Sequence, residues 1–170
     1  MSMRRLSFTL LCGLMLLLVP AGIAAVGATG DGVLELRDVN ATTVTIKGNK
    51  GVIWGQIDKG TLRVTDLNPD DNVAALVSGG WLKLPTADPA VTLYTGKNIH
   101  FRFPGGRYQL TLVGSGIDFT AVGVGKAWLT GDPDALDDGD YAVDGGKWQP
   151  VPVLKKLITF GVQPPVVASP

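Results

Sequence analysis

The chain has 170 residues, and its Lys and Arg balance its Asp and Glu in number, so no sign of charge dominates. At 45% hydrophobic residues it can build one domain with a real core. The basic residues form no cluster, which excludes nucleic acid and any membrane surface beyond the N-terminal segment as partners.

Arg4 and Arg5 precede an apolar run at residues 6–19, followed by Pro20 and a small-residue stretch ending at Ala28. A basic start, a leucine-rich centre and a small-x-small exit predict a secretory signal-peptide helix over residues 1–28, cut after Ala28 or Ala25. Uncut, the same stretch would span a bilayer core of about 30 Å at roughly 1.5 Å per residue. The expected location is therefore secreted or the extracytoplasmic cell envelope, with tethering by an uncleaved segment as the alternative. Cys12 lies inside the apolar run behind Leu11, which is not the setting of a lipidated cysteine. No other cysteine exists, so the exported part folds without disulfides. Glu35 is the only glutamate, and Asp, Gly, Thr and Val dominate, a composition that points away from helix.

Residues 32–39 alternate, with Leu34 and Leu36 opposite Glu35 and Arg37, and predict a strand. Turns at Asn40-Ala41, residues 48–51 and residues 58–60 divide the following chain into strands at 42–47, 52–57 and 61–66. The pattern of residues 32–39 recurs at 60–67, an echo that keeps a short β-solenoid open as an alternative. Residues 68–72 predict a loop, and strands at 73–77 and 81–84 flank a turn at 78–80. After a loop at 85–89, residues 91–103 predict a hairpin turning at Gly96, with Ile99, Phe101 and Phe103 on one face and His100 and Arg102 on the other.

Residues 105–131 organise the rest. Tyr108, Leu110 and Leu112, then Ile117, Phe119 and Ala121, alternate with polar neighbours, and Gly114-Ser115-Gly116 and Gly123-Val124-Gly125 interrupt them. This predicts a three-stranded antiparallel meander with glycine turns. An acidic, turn-rich loop covers 132–140, short strands follow at 141–143 and 147–149, and residues 154–160 form a closing strand. The three prolines of residues 163–170 predict a disordered tail. The expected fold is all-β over residues 29–162, an antiparallel sandwich or barrel-like β-roll of roughly ten to twelve strands.

The chemistry is constrained mostly by what is missing. Without a cysteine beyond Cys12 there is no thiol nucleophile, and with His100 the only histidine no site of two or three His ligands exists. A Ser-His-Asp triad would need Ser78, Ser115 or Ser169, and Ser115 lacks the glycine and the following helix of a nucleophile elbow. The glycine pairs also lack the helix N-terminus of a phosphate-binding loop. Glu35, Asp58, Asp66 and Asp118 are the carboxylates placed for a glycoside-hydrolase pair, with no feature that selects two of them. No catalytic residue is assigned, and an enzyme is not expected.

Asp134, Asp137, Asp138 and Asp140 gather oxygens suited to Ca²⁺, although the run fails the EF-hand spacing. No other cofactor is expected. Trp54 and Trp128 are expected in the core, while Trp81 and Trp148, beside glycine-rich turns, are expected exposed as ligand platforms. Asn40-Ala41-Thr42 is a glycosylation sequon. The chain resembles, in composition alone, bacterial envelope proteins that pair a signal peptide with one small Gly- and Asp-rich β-domain. That likeness transfers no residue. The expected role is a non-catalytic exported domain that binds or scaffolds cell-envelope polysaccharide or protein, with a carbohydrate-binding module as the sharper alternative.

Overall fold

A computed structural model describes residues 30–68, 75–105, 107–135 and 137–161. The signal peptide with Cys12, most of the loop expected at 68–72, Ser169 and the tail expected at 163–170 lie outside the described residues. Within them the chain is all-β, with seven strands: β1 (Gly32–Asp66), β2 (Leu76–Leu84), β3 (Val91–Phe103), β4 (Tyr108–Gly131), β5 (Asp140–Val143), β6 (Gln149–Pro150) and β7 (Lys156–Phe160). They form one antiparallel sheet in the order β2-β3-β1-β4-β7, with β5 and β6 added beside β1. No described helix is long and apolar enough to cross a membrane.

The expected glycine turns are not turns. β1 runs unbroken for 35 residues through Asn40, Gly48, Gly51 and Gly60, and β4 runs for 24 through Gly114, Gly116, Gly123 and Gly125. The turns expected at Gly79-Gly80 and Gly96 likewise lie inside β2 and β3. Ten to twelve strands thus become seven. Solenoid coils stack parallel strands, whereas every pairing among the described residues is antiparallel, so that alternative falls.

What the glycines do instead is visible in the register. Residues 117–123 of β4 pair on one side with 32–39 of β1 and on the other with 51–57. Residues 41–48 of β1 likewise pair with both 108–114 and 125–131. A two-stranded ribbon can pair with itself only if it curls back, and its junctions carry rows of glycine. Gly131, Ala41, Gly114, Gly60 and Gly96 face one another across successive strands. A Cβ at Gly60 would stand 2.1 Å from the Val113 carbonyl oxygen, so a side chain there would push the strands apart. Glycine in a strand interior here marks close backbone approach and curvature.

The alternation expected from sequence holds on the inner face. Leu34, Leu36, Ile46, Ile57, Leu62, Leu110, Leu112, Ile117, Phe119 and Ala121 are buried, and Phe101, Phe103 and Tyr108 stack in series at 5.9 and 4.9 Å between ring centres. No polar or charged residue is buried among the described residues, so the core is held by apolar area alone. The polar side chains of the described residues therefore lie outside that core.

Candidate functional site

The acidic loop spends its carboxylates on its own backbone. Asp132 accepts from the Asp134 N–H at 3.0 Å, Asp137 from the Gly139 N–H at 2.8 Å, and Asp138 from the Asp132 N–H at 3.0 Å. These are short-range turn bonds of the kind Asp makes in loops. Asp134, Asp137, Asp138 and Asp140 are not brought together as a metal-holding group, and no group of three ligating residues occurs among the described residues. Asn40 ties the loop to the sheet: its Nδ2 donates to the Asp137 carbonyl at 3.0 Å and its Oδ1 accepts from the Gly116 N–H at 3.4 Å. A glycan on Asn40 would be carried by that same Nδ2 and leave it a single N–H.

The aromatic residues sort differently from their sequence surroundings. Trp148 is exposed as expected, but the Arg37 guanidinium lies 4.2 Å from its ring centre and occupies that face. Trp81 is half-buried, packed edge-on against Tyr94 at 4.8 Å, and its indole Nε1 is buried without a hydrogen-bond partner. Desolvation by burial raises the Tyr94 hydroxyl above its ordinary pKa of 10.0. Trp54 corrects the expectation outright. It is 42% exposed, because it alternates with the buried Ile53 and Ile57 and points to the opposite face of β1.

Trp54 stands in a built row. Across the strands it pairs with Thr120 of β4 and Arg102 of β3, and Arg102 pairs with Leu76 of β2. The next outward row reads Asp118, Gln56, His100, Ser78. Together the rows border a groove of about 530 Å³ lined by Leu36, Trp54, Gln56, His100, Asp118 and Thr120. It continues past His100 into a second depression of about 430 Å³ bordered by Leu76, Ser78 and Arg102.

Asp118 fixes one wall. Its Oδ1 accepts from the Asp38 N–H at 2.7 Å and its Oδ2 from Gln56 Nε2 at 3.1 Å. Asp38 sits at φ 49°, where the register of β1 against β4 shifts. The left-handed residue at this bulge aims an N–H that the ladder does not use, and Asp118 satisfies it. The side chains of Arg102 and His100, by contrast, make no hydrogen bond or ion pair with another described residue.

The row brings Ser78 beside His100 but assembles no triad. No side-chain hydrogen bond joins the two among the described residues, and Gln56 separates His100 from Asp118. Two strand spacings put that carboxylate roughly 10 Å away. Ser115 lies opposite Lys59, three residues along β1 from Gln56, again about 10 Å off. Of the remaining carboxylates, Glu35 pairs with Thr120, and Asp58 and Asp66 lie further along β1.

Sequence reading missed Trp54, Gln56 and Arg102 as neighbours. Reading residues 52–57 as one apolar strand hid the period-2 split of Trp54 and Gln56 from Ile53 and Ile57. Arg102 joins them only through the β1–β3 register. Comparison with known proteins finds no matching family model, no similar curated protein and no similar solved structure.

Proposed function

We propose that this is an exported, non-catalytic β-domain, coiled as a barrel-like roll, that binds carbohydrate of the cell envelope through the Trp54 face. The observation that carries the reading is an exposed indole set in a shallow groove among Gln56, His100, Asp118, Thr120 and Arg102. An exposed indole offers a flat apolar surface for the C–H face of a pyranose. Planar amide, carboxylate and guanidinium groups around it match the hydroxyls at the ring's edge. A rigid sheet holds both at fixed spacing, which reduces the ordering cost of binding. The signal-like N-terminus supports delivery to the extracytoplasmic envelope, with an uncut segment leaving the domain tethered there.

Calorimetric titration and affinity electrophoresis with purified envelope and plant polysaccharides test the reading. Saturable binding that Trp54→Ala abolishes, at unchanged melting temperature, is the expected result. Equal binding by the variant would end the assignment of this face.

A further inference from the structure

Resting on that reading, we infer that the sugar bound at Trp54 is anionic: a uronic-acid unit whose ring stacks on Trp54 and whose carboxylate is held by Arg102. The charges on the face favour an anion. Asp118, the carboxylate bordering the groove, is held by the Asp38 N–H and Gln56 and lies two strands and two residues from Arg102, roughly 12 Å away, so it does not pair with the arginine. Glu35 is half-buried and lies beyond Thr120, three strands from Arg102 and so roughly 14 Å away. Arg37 is stacked on Trp148. What remains free beside the indole is a cation and a donor, Arg102 and His100, both exposed and both without a partner among the described residues.

The geometry selects a carboxylate in the plane of a sugar ring. Trp54 and Arg102 are direct cross-strand partners, which places their Cα atoms about 4.5–5.5 Å apart. A pyranose lying on the indole directs its C5 substituent outward at about that reach. The guanidinium fork takes a carboxylate bidentately, as a hydroxymethyl group cannot be taken. Leu76, opposite Arg102 on β2 and 57% exposed, gives the arginine stem an apolar neighbour.

The test compares oligogalacturonate with a neutral β-glucan oligomer of equal length, by calorimetry on the protein, on Arg102→Gln and on Trp54→Ala. The uronate is expected to bind more tightly, and Arg102→Gln to weaken it about tenfold to a hundredfold, a larger loss than the same substitution causes in the neutral oligomer. Trp54→Ala is expected to remove uronate binding altogether. Equal affinity for both oligomers, or no change in Arg102→Gln, overturns the anionic assignment and leaves the carbohydrate reading in place. Binding of a sulfated polymer as tight as the uronate and indifferent to Trp54→Ala overturns it too, since the attraction is then one of charge alone. Binding of no sugar at all overturns both.

Discussion

The acidic loop and the Trp54 face are opposite ways of using polar residues. The loop is dense in charge, and its side chains are consumed in holding the loop's own shape: Asp132, Asp137 and Asp138 each cap a backbone N–H within six residues. The face is sparse, and its polar groups come from β1, β2, β3 and β4, far apart in sequence, with the Arg102 and His100 side chains unengaged among the described residues. A short acidic segment can satisfy itself locally because Asp reaches its neighbours' N–H groups. Groups standing out from a pleated sheet find partners only across strands, as Asp118 does in Gln56, and the Arg102 and His100 side chains find none among the described residues.

The contrast can be broken most severely at the sheet beneath the face. Gly60→Val would set a side chain against the Val113 carbonyl and the Gly114 Cα, and is expected to cost more than about 3 kcal/mol in urea unfolding. A stable Gly60→Val protein would show that the glycine rows are not what lets the ribbon curl. Phe119→Ala, in the core directly under the groove, is expected to cost about 3–5 kcal/mol, against less than about 1 kcal/mol for the exposed Trp54→Ala. If the two costs came out alike, Trp54 would be a packing residue and its face no site.

Asp118→Ala, which strands the Asp38 N–H and the Gln56 amide, is expected to cost about 1–3 kcal/mol. In the loop, Asp138→Ala should cost about 1 kcal/mol and Asp134→Ala, whose carboxylate holds no N–H among the described residues, about 0.5 kcal/mol or less. Calcium should give no saturable heat and no change in melting temperature; a saturable signal lost in Asp138→Ala would make the loop the site instead. The smallest effect is at high pH. Because burial raises Tyr94, its neutral form is favoured in the folded state. That stability is complete below the unfolded value of 10.0 and is lost as pH rises through the folded one. Tyr94→Phe should flatten the pH dependence of melting above pH 10.

The sequence by itself determined that the domain is all-β, and which residues face inward. Alternation is a local property of the strand, so Ile99, Phe101 and Phe103, and Ile117, Phe119 and Ala121, could be assigned to the core from spacing alone. The same local logic fails at glycine. Gly114-Ser115-Gly116 and Gly123-Val124-Gly125 are compatible with a tight turn and with a strand that bends, and only a neighbouring backbone decides between them. Here the neighbours are Lys59 and Gly60 on one side and residues of the same ribbon on the other, and they hold the chain extended. The glycines therefore mark where one long ribbon folds over itself, where a meander had been expected to turn. The meeting of Trp54 with Arg102 was settled at that same level, because cross-strand register is fixed by the packing of the whole sheet and leaves no trace in either segment alone.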